Sequence, residues 1–551
     1  YTDANGYLAN PNRTTSPVTL RRFQVRWSNI PGQEKPIQPL KVWYTGAYAQ
    51  DQWQILDNLN IIAGLRVDVP FFENTGYHNP EVDTMNFRDE NGNVVNYKTD
   101  KLPDANILFS PRIGFNLDVF GDKSTQLRGG TGIFTGKPAY VWISNQIGNN
   151  GVLTGFERLD NTTARPFDPN PNRYKPTNVT GAPASTYELA LTDPNFKFPQ
   201  LWRSNFGIDQ RLPFGFIATV EGLYSRDVNG IYYINANQTA PNANFTGADT
   251  RPRWTSSSAR KIYQKVDNAI VLKNQNEGYY WSVSASLEKP FSDNWYFKAG
   301  YNYGVAKNTI DPGSIAFGSW NNNQHSGNPN NPGVGFSANS PGHRVFGAFS
   351  YKLDYFNFGS TTLTLFVEGI TQGNASYTYS GDMNGDGGTS NDLIYIPKDA
   401  SEMYFEQYTD GGTTFTVADQ QAAWEAFIQQ DEYLSKNRGK YAERGAVFMP
   451  MVFRADLSLI QEFYGEFIGK RNSLQVRVDI LNVTNLLNKD WGVGDVFTTT
   501  QPLIFRSVDS EGKPVYRLRS IGGKLISKTF EPSASIFDVY RIQLGVRYNF
   551  N

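Results

Sequence analysis

The chain has 551 residues, a formal net charge of −1 and no cysteine. That composition excludes a disulfide framework, a thiolate nucleophile and a cysteine-ligated metal site, and it argues against a nucleic-acid surface or a polybasic membrane patch. Mean hydropathy is −0.49 with 14% aromatic residues, an average that fits a soluble protein and equally a transmembrane barrel, whose lumen face is polar.

Tyr1 to Gly6 carries no Met start, basic n-region or apolar h-region, so the chain is expected to be processed or part of a longer one. Residues 1–40 are polar and Pro-rich, and their spacing allows one strand over 21–27. A hairpin follows, with arms 42–53 and 59–69 around Asp57-Asn58. In its second arm Leu59, Ile61, Ala63, Leu65, Val67 and Val69 alternate with Asn60, Gly64, Arg66 and Asp68, and only Ile62 breaks the pattern. Further hairpins are expected at 112–119 with 126–134, 202–212 with 216–225, 280–289 with 295–305, 344–355 with 361–373, and 453–463 with 474–483. Each tight turn holds the Gly, Asn, Asp or Pro that such turns need. The last stretch, Tyr540 to Phe550, puts Tyr540, Ile542, Leu544, Val546, Tyr548 and Phe550 on one face and Arg541, Gln543, Gly545, Arg547 and Asn549 on the other. A tilted strand that crosses a bilayer needs about 9–11 residues, with aromatics at the two interfaces.

Between hairpins the connections are long and rich in Asn, Gly, Pro, Thr and Asp. In a compact soluble domain, structureless loops above roughly 12–15 residues count against the strand assignment. Here they alternate with tight turns, which is the two-sided pattern of an outer-membrane barrel, long loops outside and short turns inside. The strand Leu474-Gln475-Val476-Arg477-Val478-Asp479-Ile480 fixes the facing, because a one-residue slip would put Arg477 and Asp479 into lipid. One loop carries a helix: Thr416-Val417-Ala418-Asp419 opens like a capping box, and Trp424, Phe427, Ile428 and Leu434 fall on one face of a helix reaching Lys436. That face is expected to pack on neighbouring loops.

The stretches Phe109-Ser110-Pro111-Arg112-Ile113-Gly114-Phe115, Arg128-Gly129-Gly130-Thr131-Gly132-Ile133-Phe134, Ala49-Gln50-Asp51-Gln52-Trp53, Asn60 with Gly64 to Asp68, and Asp479 to Asn485 together resemble the barrel of TonB-dependent outer-membrane transporters. Pro199 to Arg203, Asp209 to Pro213 and Gly381 to Pro397 resemble the Oar-like branch of that family. The likeness runs from about residue 42 to the end, and order and number make it specific rather than any single motif. It implies an all-β antiparallel transmembrane barrel of about 22 strands, a plug domain inside it, and energy delivered by the TonB complex of the inner membrane. It also implies outer-membrane lipid as the surroundings, with other outer-membrane or cell-surface proteins as further partners. The chain departs from the pattern: about fourteen strands are legible, with no plug and no TonB-contacting segment, and Asn551 follows the terminal aromatic Phe550. The whole of 1–551 therefore reads as a single barrel domain, the C-terminal part of a longer protein whose other part holds the plug and roughly eight strands.

Asp382-Met383-Asn384-Gly385-Asp386-Gly387 matches the opening of a calcium loop, with oxygen ligands at positions 1, 3 and 5 and then a glycine; Ser390 and Asp392 follow. Leu393 stands where an EF-hand has its bidentate Glu, so Asp392 would be the closing carboxylate. The alternative is a Gly/Asp-rich turn without an ion. No Lys or Arg lies between Gly381 and Pro397 to balance the three aspartates. His78, His325 and His343 are the only histidines, dispersed and without a companion cluster, and no catalytic arrangement can be assembled around them. Gly129-Gly130-Thr131-Gly132 lies in a strand pattern without a following helix, so close backbone packing is expected there rather than a phosphate loop. Three functions fit: a transporter of the TonB-dependent kind, a structural or adhesive outer-membrane barrel that moves nothing, and a secreted β-rich carbohydrate enzyme or binding module. The alternating loop lengths and the aromatic-ended last strand oppose the third.

Overall fold

The computed structural model describes residues 2–467 and 469–550. Thirteen long strands follow one another, each paired antiparallel with the next, in one sheet. They are β1 (Val42–Leu56), β2 (Leu59–Phe72), β3 (Leu108–Asp118), β4 (Thr125–Thr135), β5 (Gln200–Arg211) and β6 (Ile217–Asp227). Then come β7 (Tyr279–Ser292), β8 (Trp295–Asn308), β9 (Gly342–Tyr355), β10 (Gly359–Thr371), β11 (Met451–Phe467), β12 (Lys470–Leu481) and β13 (Arg541–Phe550). A short strand, Gly335–Phe336, adds to the end of β8. Several hairpin turns use the conformations that Gly, Asn and Asp favour, while Lys123, Phe214 and Phe356 hold left-handed backbone in others. Asp293 and Asn294 are both left-handed (φ 51° and 69°), the pair a two-residue primed turn requires.

Register puts the apolar residues of successive strands on one continuous face. Val478 lies opposite Leu544 of β13 and Leu459 of β11, Ile480 opposite Ile542 and Leu457, and Leu459 in turn opposite Leu363 of β10. Ile542, Leu544 and Val546 leave 60%, 69% and 67% of their surface uncovered by the chain. Covering such a side chain is worth about 1.5–3 kcal/mol, and lipid supplies that cover. The other face is polar and ion-paired. Arg128 reaches Asp209 (2.9 Å) and Glu221 (2.8 Å), Lys298 reaches Glu288 (2.8 Å), Arg344 reaches Glu368 (2.8 Å) and Arg477 reaches Asp479 (2.8 Å). Gln461 is a polar residue in the apolar row, and its amide is satisfied by Thr361 Oγ1 (2.7 Å) and the Ser360 carbonyl (3.1 Å), as a lipid-side polar group must be.

The sheet does not close among the described residues: β1 pairs only with β2, and β13 only with β12. The strand expected near 21–27 forms as Leu20–Ser28, but it pairs with Thr154–Thr162 outside the barrel sheet. It leaves the free edge of β1 unused and pairs among the long connections, where Trp27 is buried in one of their apolar clusters.

Those connections, 73–107, 136–199, 228–278, 309–341, 372–450 and 482–540, are not structureless. They build a packed cap with its own sheets, one of which runs Gly230–Asn235, Val266–Gln275, Tyr187–Thr192 and includes a parallel pair. The buried apolar clusters of the molecule lie almost wholly in this cap, because a wall one strand thick has no interior of its own. The loop helix is two helices, Val417–Gln430 and Glu432–Lys436. Asp431 separates them, accepting from Leu434 N–H (2.8 Å) to cap the second. Both halves of the expected capping box are present at Thr416 and Asp419. Trp424, Phe427, Ile428 and Leu434 are fully buried in the cap core, as packing on neighbouring loops demands.

Candidate functional site

The acidic stretch lies in the 372–450 connection and winds upon itself. Asp382 accepts from the backbone N–H of Gly385 (2.9 Å) and Gly387 (3.0 Å), Asn384 from Asp386 N–H (3.0 Å), Asp386 from Gly388 N–H (2.6 Å), and Asp392 from Met383 N–H (3.0 Å). Side chains of Asp and Asn bond readily to backbone groups a few residues on. Gly385, at φ 81°, is required twice over: a Cβ there would fall 2.1 Å from the Trp254 carbonyl oxygen. Asp382, Asn384, Asp386 and Asp392 are thus brought together, whereas Ser390 stands exposed at the surface and takes no part.

The cations come from elsewhere in the chain. Arg251, fully buried, places Nη1 3.4 Å from Asp392 Oδ1, donates to the Leu393 carbonyl (2.6 Å) and pairs with Asp249 (3.0 Å). Arg260 lies 3.9 Å from Asp382 and donates to the Gly385 carbonyl (3.2 Å). His325 Nδ1 accepts from Gly327 N–H (3.1 Å), so the ring proton sits on Nε2 and is donated to Asp386 Oδ2 (2.8 Å). The same oxygen accepts from the Asn391 amide (2.9 Å). The histidines accordingly have companions after all: His78 stands 3.3 Å from both Asp83 and Asp100, and His343 bonds Tyr301. These partners are distant in sequence, and nothing local in an Asn/Gly-rich loop announces them.

Burial, then the charges of Asp386 and Asp392, push the Asp382 carboxyl up to about 8. Burial, then Asp386, pushes Asp392 up to about 6. Burial, the largest influence, acts to raise Asp386 as well, but the hydrogen bond and charge of His325, the Gly388 N–H and Arg260 together outweigh it and hold this carboxyl below the usual range. Raised carboxyls bind protons more tightly in the folded loop than in an open one, where Asp titrates near 3.9. Their contribution is complete below pH ~3.9 and is lost as pH rises through 6 and then 8, whereas the depressed Asp386 loses its share as pH falls. Hydrogen exchange over 381–397, corrected for intrinsic rates, should therefore show more opening at pH 8.5 than at pH 5.5. Equal protection at the two values would refute the raised pair.

As the side chains stand, the aspartate oxygens face backbone N–H groups and cations, and among the described residues no three His, Cys, Asp or Glu side chains are arranged to hold a metal ion. On the wall's polar face a separate cavity of about 1150 Å³ is lined by Gln52, Gln54, Asn116, Arg128, Asn205 and Asp209, among others.

No curated protein matches the chain significantly. Among solved structures it aligns with the FrpB iron transporter from Neisseria meningitidis (F3-3 variant) at TM-score 0.38 and 9% identity, over 93% of this chain and 46% of that one. It aligns with the outer membrane transporter YddB from Escherichia coli at TM-score 0.39 and 10% identity, over 93% and 54% respectively, and so spans about half the length of each. Residues 27–499 match the family described as outer membrane beta barrel domain. With most of its length inside that match and a lipid-facing antiparallel wall to go with it, the chain belongs to the outer membrane beta-barrel domain family, and its place is the bacterial outer membrane.

Proposed function

We propose that this chain forms the greater part of the wall of a TonB-dependent transporter, of the Oar-like branch, moving a substrate too large or too scarce for open porins. The observation that supports the reading is the open sheet with its polar, ion-paired inner face. Unpaired N–H and C=O groups along β1 and β13 cannot be left in hydrocarbon. Further strands, and a plug to fill the wide lumen they would enclose, belong on the rest of such a protein, and the plug would make the contact with TonB. The test is uptake by cells that carry the complete protein, with the inner-membrane energy complex intact or disabled. Uptake lost on disabling the complex is the expected result. Uptake that persists would mean a passive pore, and none under any condition would leave a structural or adhesive barrel.

For the gathered Asp382, Asn384, Asp386 and Asp392 the proposal remains calcium, with Ser390, expected as a fifth ligand, exposed beside the cluster and outside it. Mutual repulsion among three gathered carboxylates favours a cation that accepts six to eight oxygens; Arg251, Arg260 and His325 compete with it for the same charges. Calorimetric titration at millimolar calcium should give heat with the wild type that Asp382→Ala/Asp386→Ala abolishes. Equal heat from both proteins, or none from either, would remove the site.

A further inference from the structure

In the cap, the connections 309–341, 372–450 and 482–540 meet around a cavity of about 420 Å³. Small-ligand sites of roughly 300–1,000 Å³ are ordinarily walled by apolar and aromatic side chains with a few polar groups among them. Here the proportions are reversed. Asn, Gln, Ser and Thr make up most of the lining, and Phe336, Ala338 and Ala375 are its apolar part.

The fold commits one end of several of these polar groups and leaves the other end free. Asn374 Nδ2 donates to the carbonyls of Ser337 (3.1 Å) and Gly445 (2.6 Å), and its Oδ1 is buried without a partner. Arg444, 6% exposed, spends its Nη atoms on Asn323 and Asn308, and its Nε is likewise buried and unpaired. Ser376 Oγ accepts from Gly445 N–H (2.7 Å), which leaves its own hydrogen to donate. Gln501 Nε2 donates to the Tyr379 carbonyl (3.0 Å), which leaves Oε1 to accept. The side chains of Gln324, Ser390 and Thr500 make no hydrogen bond among the described residues. Buried polar groups are nearly always paired, so this lining lacks a partner that both gives and accepts.

Charge narrows what that partner is. Asp311 accepts from Ser337 Oγ (2.7 Å), Asn308 Nδ2 (2.7 Å) and Ala338 N–H (2.8 Å), and it stands 4.0 Å from Arg444. These two are the charged residues of the lining and they offset each other, so an ion finds no unanswered counter-charge. An apolar ligand would shut the free amides and hydroxyls off from water without replacing their bonds. A saccharide meets both conditions. It is neutral, each of its hydroxyls donates once and accepts twice as a serine hydroxyl does, and the C–H face of its ring can lie on Phe336 and the two alanines. We infer that this cavity binds a neutral oligosaccharide, whose hydroxyls are read by Gln324, Asn374, Thr500 and Gln501, with Ser390 at its exposed edge. The site rests on the cap alone and stands or falls apart from transport.

The test is calorimetric titration of the complete protein in lauryldimethylamine oxide, a detergent without a sugar headgroup. The probes are short neutral oligosaccharides of glucose, galactose or mannose, the saccharide released from the lipopolysaccharide of the same cells, and oligogalacturonate as the charged control. At least one neutral saccharide should give heat at millimolar concentration or below. Gln324→Ala/Thr500→Ala should weaken that binding roughly tenfold or more, as the loss of two hydrogen bonds predicts. Hydrogen exchange over the cap should stay as in the wild type, because neither side chain bonds within the fold. Heat from a free oligosaccharide would mark a ligand from the medium, and heat from the released glycan alone a neighbour on the cell surface; either supports the site. No heat from any neutral saccharide would overturn the inference. So would equal affinity in wild type and double variant, or tighter binding of oligogalacturonate than of every neutral probe.

Discussion

Arg251→Leu should destabilise the cap by about 3–5 kcal/mol, the range for removing one partner of a buried ion pair. Its guanidinium is wholly buried between Asp249 and Asp392 and lies over the rings of Tyr379 (5.2 Å) and Tyr441 (5.0 Å). The replacement leaves two carboxylates without their cation, and it orphans the Leu393 carbonyl that Arg251 Nη2 serves. Three long connections are tied at this point. Arg251 belongs to 228–278 and Asp392 to 372–450, while Tyr516 of 482–540 stacks on Tyr379 at 5.2 Å. Protection from hydrogen exchange should fall in all three together, while the β9–β12 ladder stays protected. Arg251→Lys should recover only part of the loss, because a single ammonium cannot make the forked contacts of a guanidinium. Loss confined to 228–278 would mean that the residue props up its own loop and does not join the others.

The wall was legible because a strand's two faces are written in alternate residues. The arms read from the spacing differ from β1–β13 by a few residues at their ends, and even Ile62, the exception in its arm, keeps the register and sits with the polar face opposite Gln52 and Gly114. The cap was not legible. Its pairings, such as Tyr187–Thr192 with Val266–Gln275, join short apolar runs far apart in a polar chain, and no period marks a segment of six residues buried on both sides. Asn-, Gly- and Pro-rich composition reads as open loop although it encloses cores around Trp424 and Tyr187. The acidic motif divided in the same way. The run of aspartates stood out, but Arg251, 141 residues from Asp392, and His325, 61 from Asp386, could be joined to it only by the fold. The sequence places no Lys or Arg within 381–397, and the cations that stand beside these aspartates, Arg251, Arg260 and His325, reach them from other connections.

The facing of the wall has its sharpest test at β12. Val478 lies between Leu459 and Leu544 on the apolar face, in a row that continues through Leu363. An arginine there must either place its charge in hydrocarbon or reach along the wall to the interface, and at mid-bilayer the cost is roughly 2–4 kcal/mol. Gln475 lies three residues away on the opposite face, between Glu462 of β11 and Arg547 of β13. A guanidinium at 475 meets one carboxylate and one like charge in a wetted, ion-paired surface, where such terms sum to about 0–1 kcal/mol. Val478→Arg should therefore lower the unfolding free energy of the complete barrel in vesicles by several times as much as Gln475→Arg. The side chain introduced is the same and the strand is the same, so strand propensity and added length cancel in the comparison and only the facing remains. In detergent the gap should narrow, because a micelle adapts to a charge more readily than a bilayer of fixed thickness. Equal losses in vesicles, or a larger loss at 475, would mean that the row Leu474, Val476, Val478 and Ile480 does not face lipid.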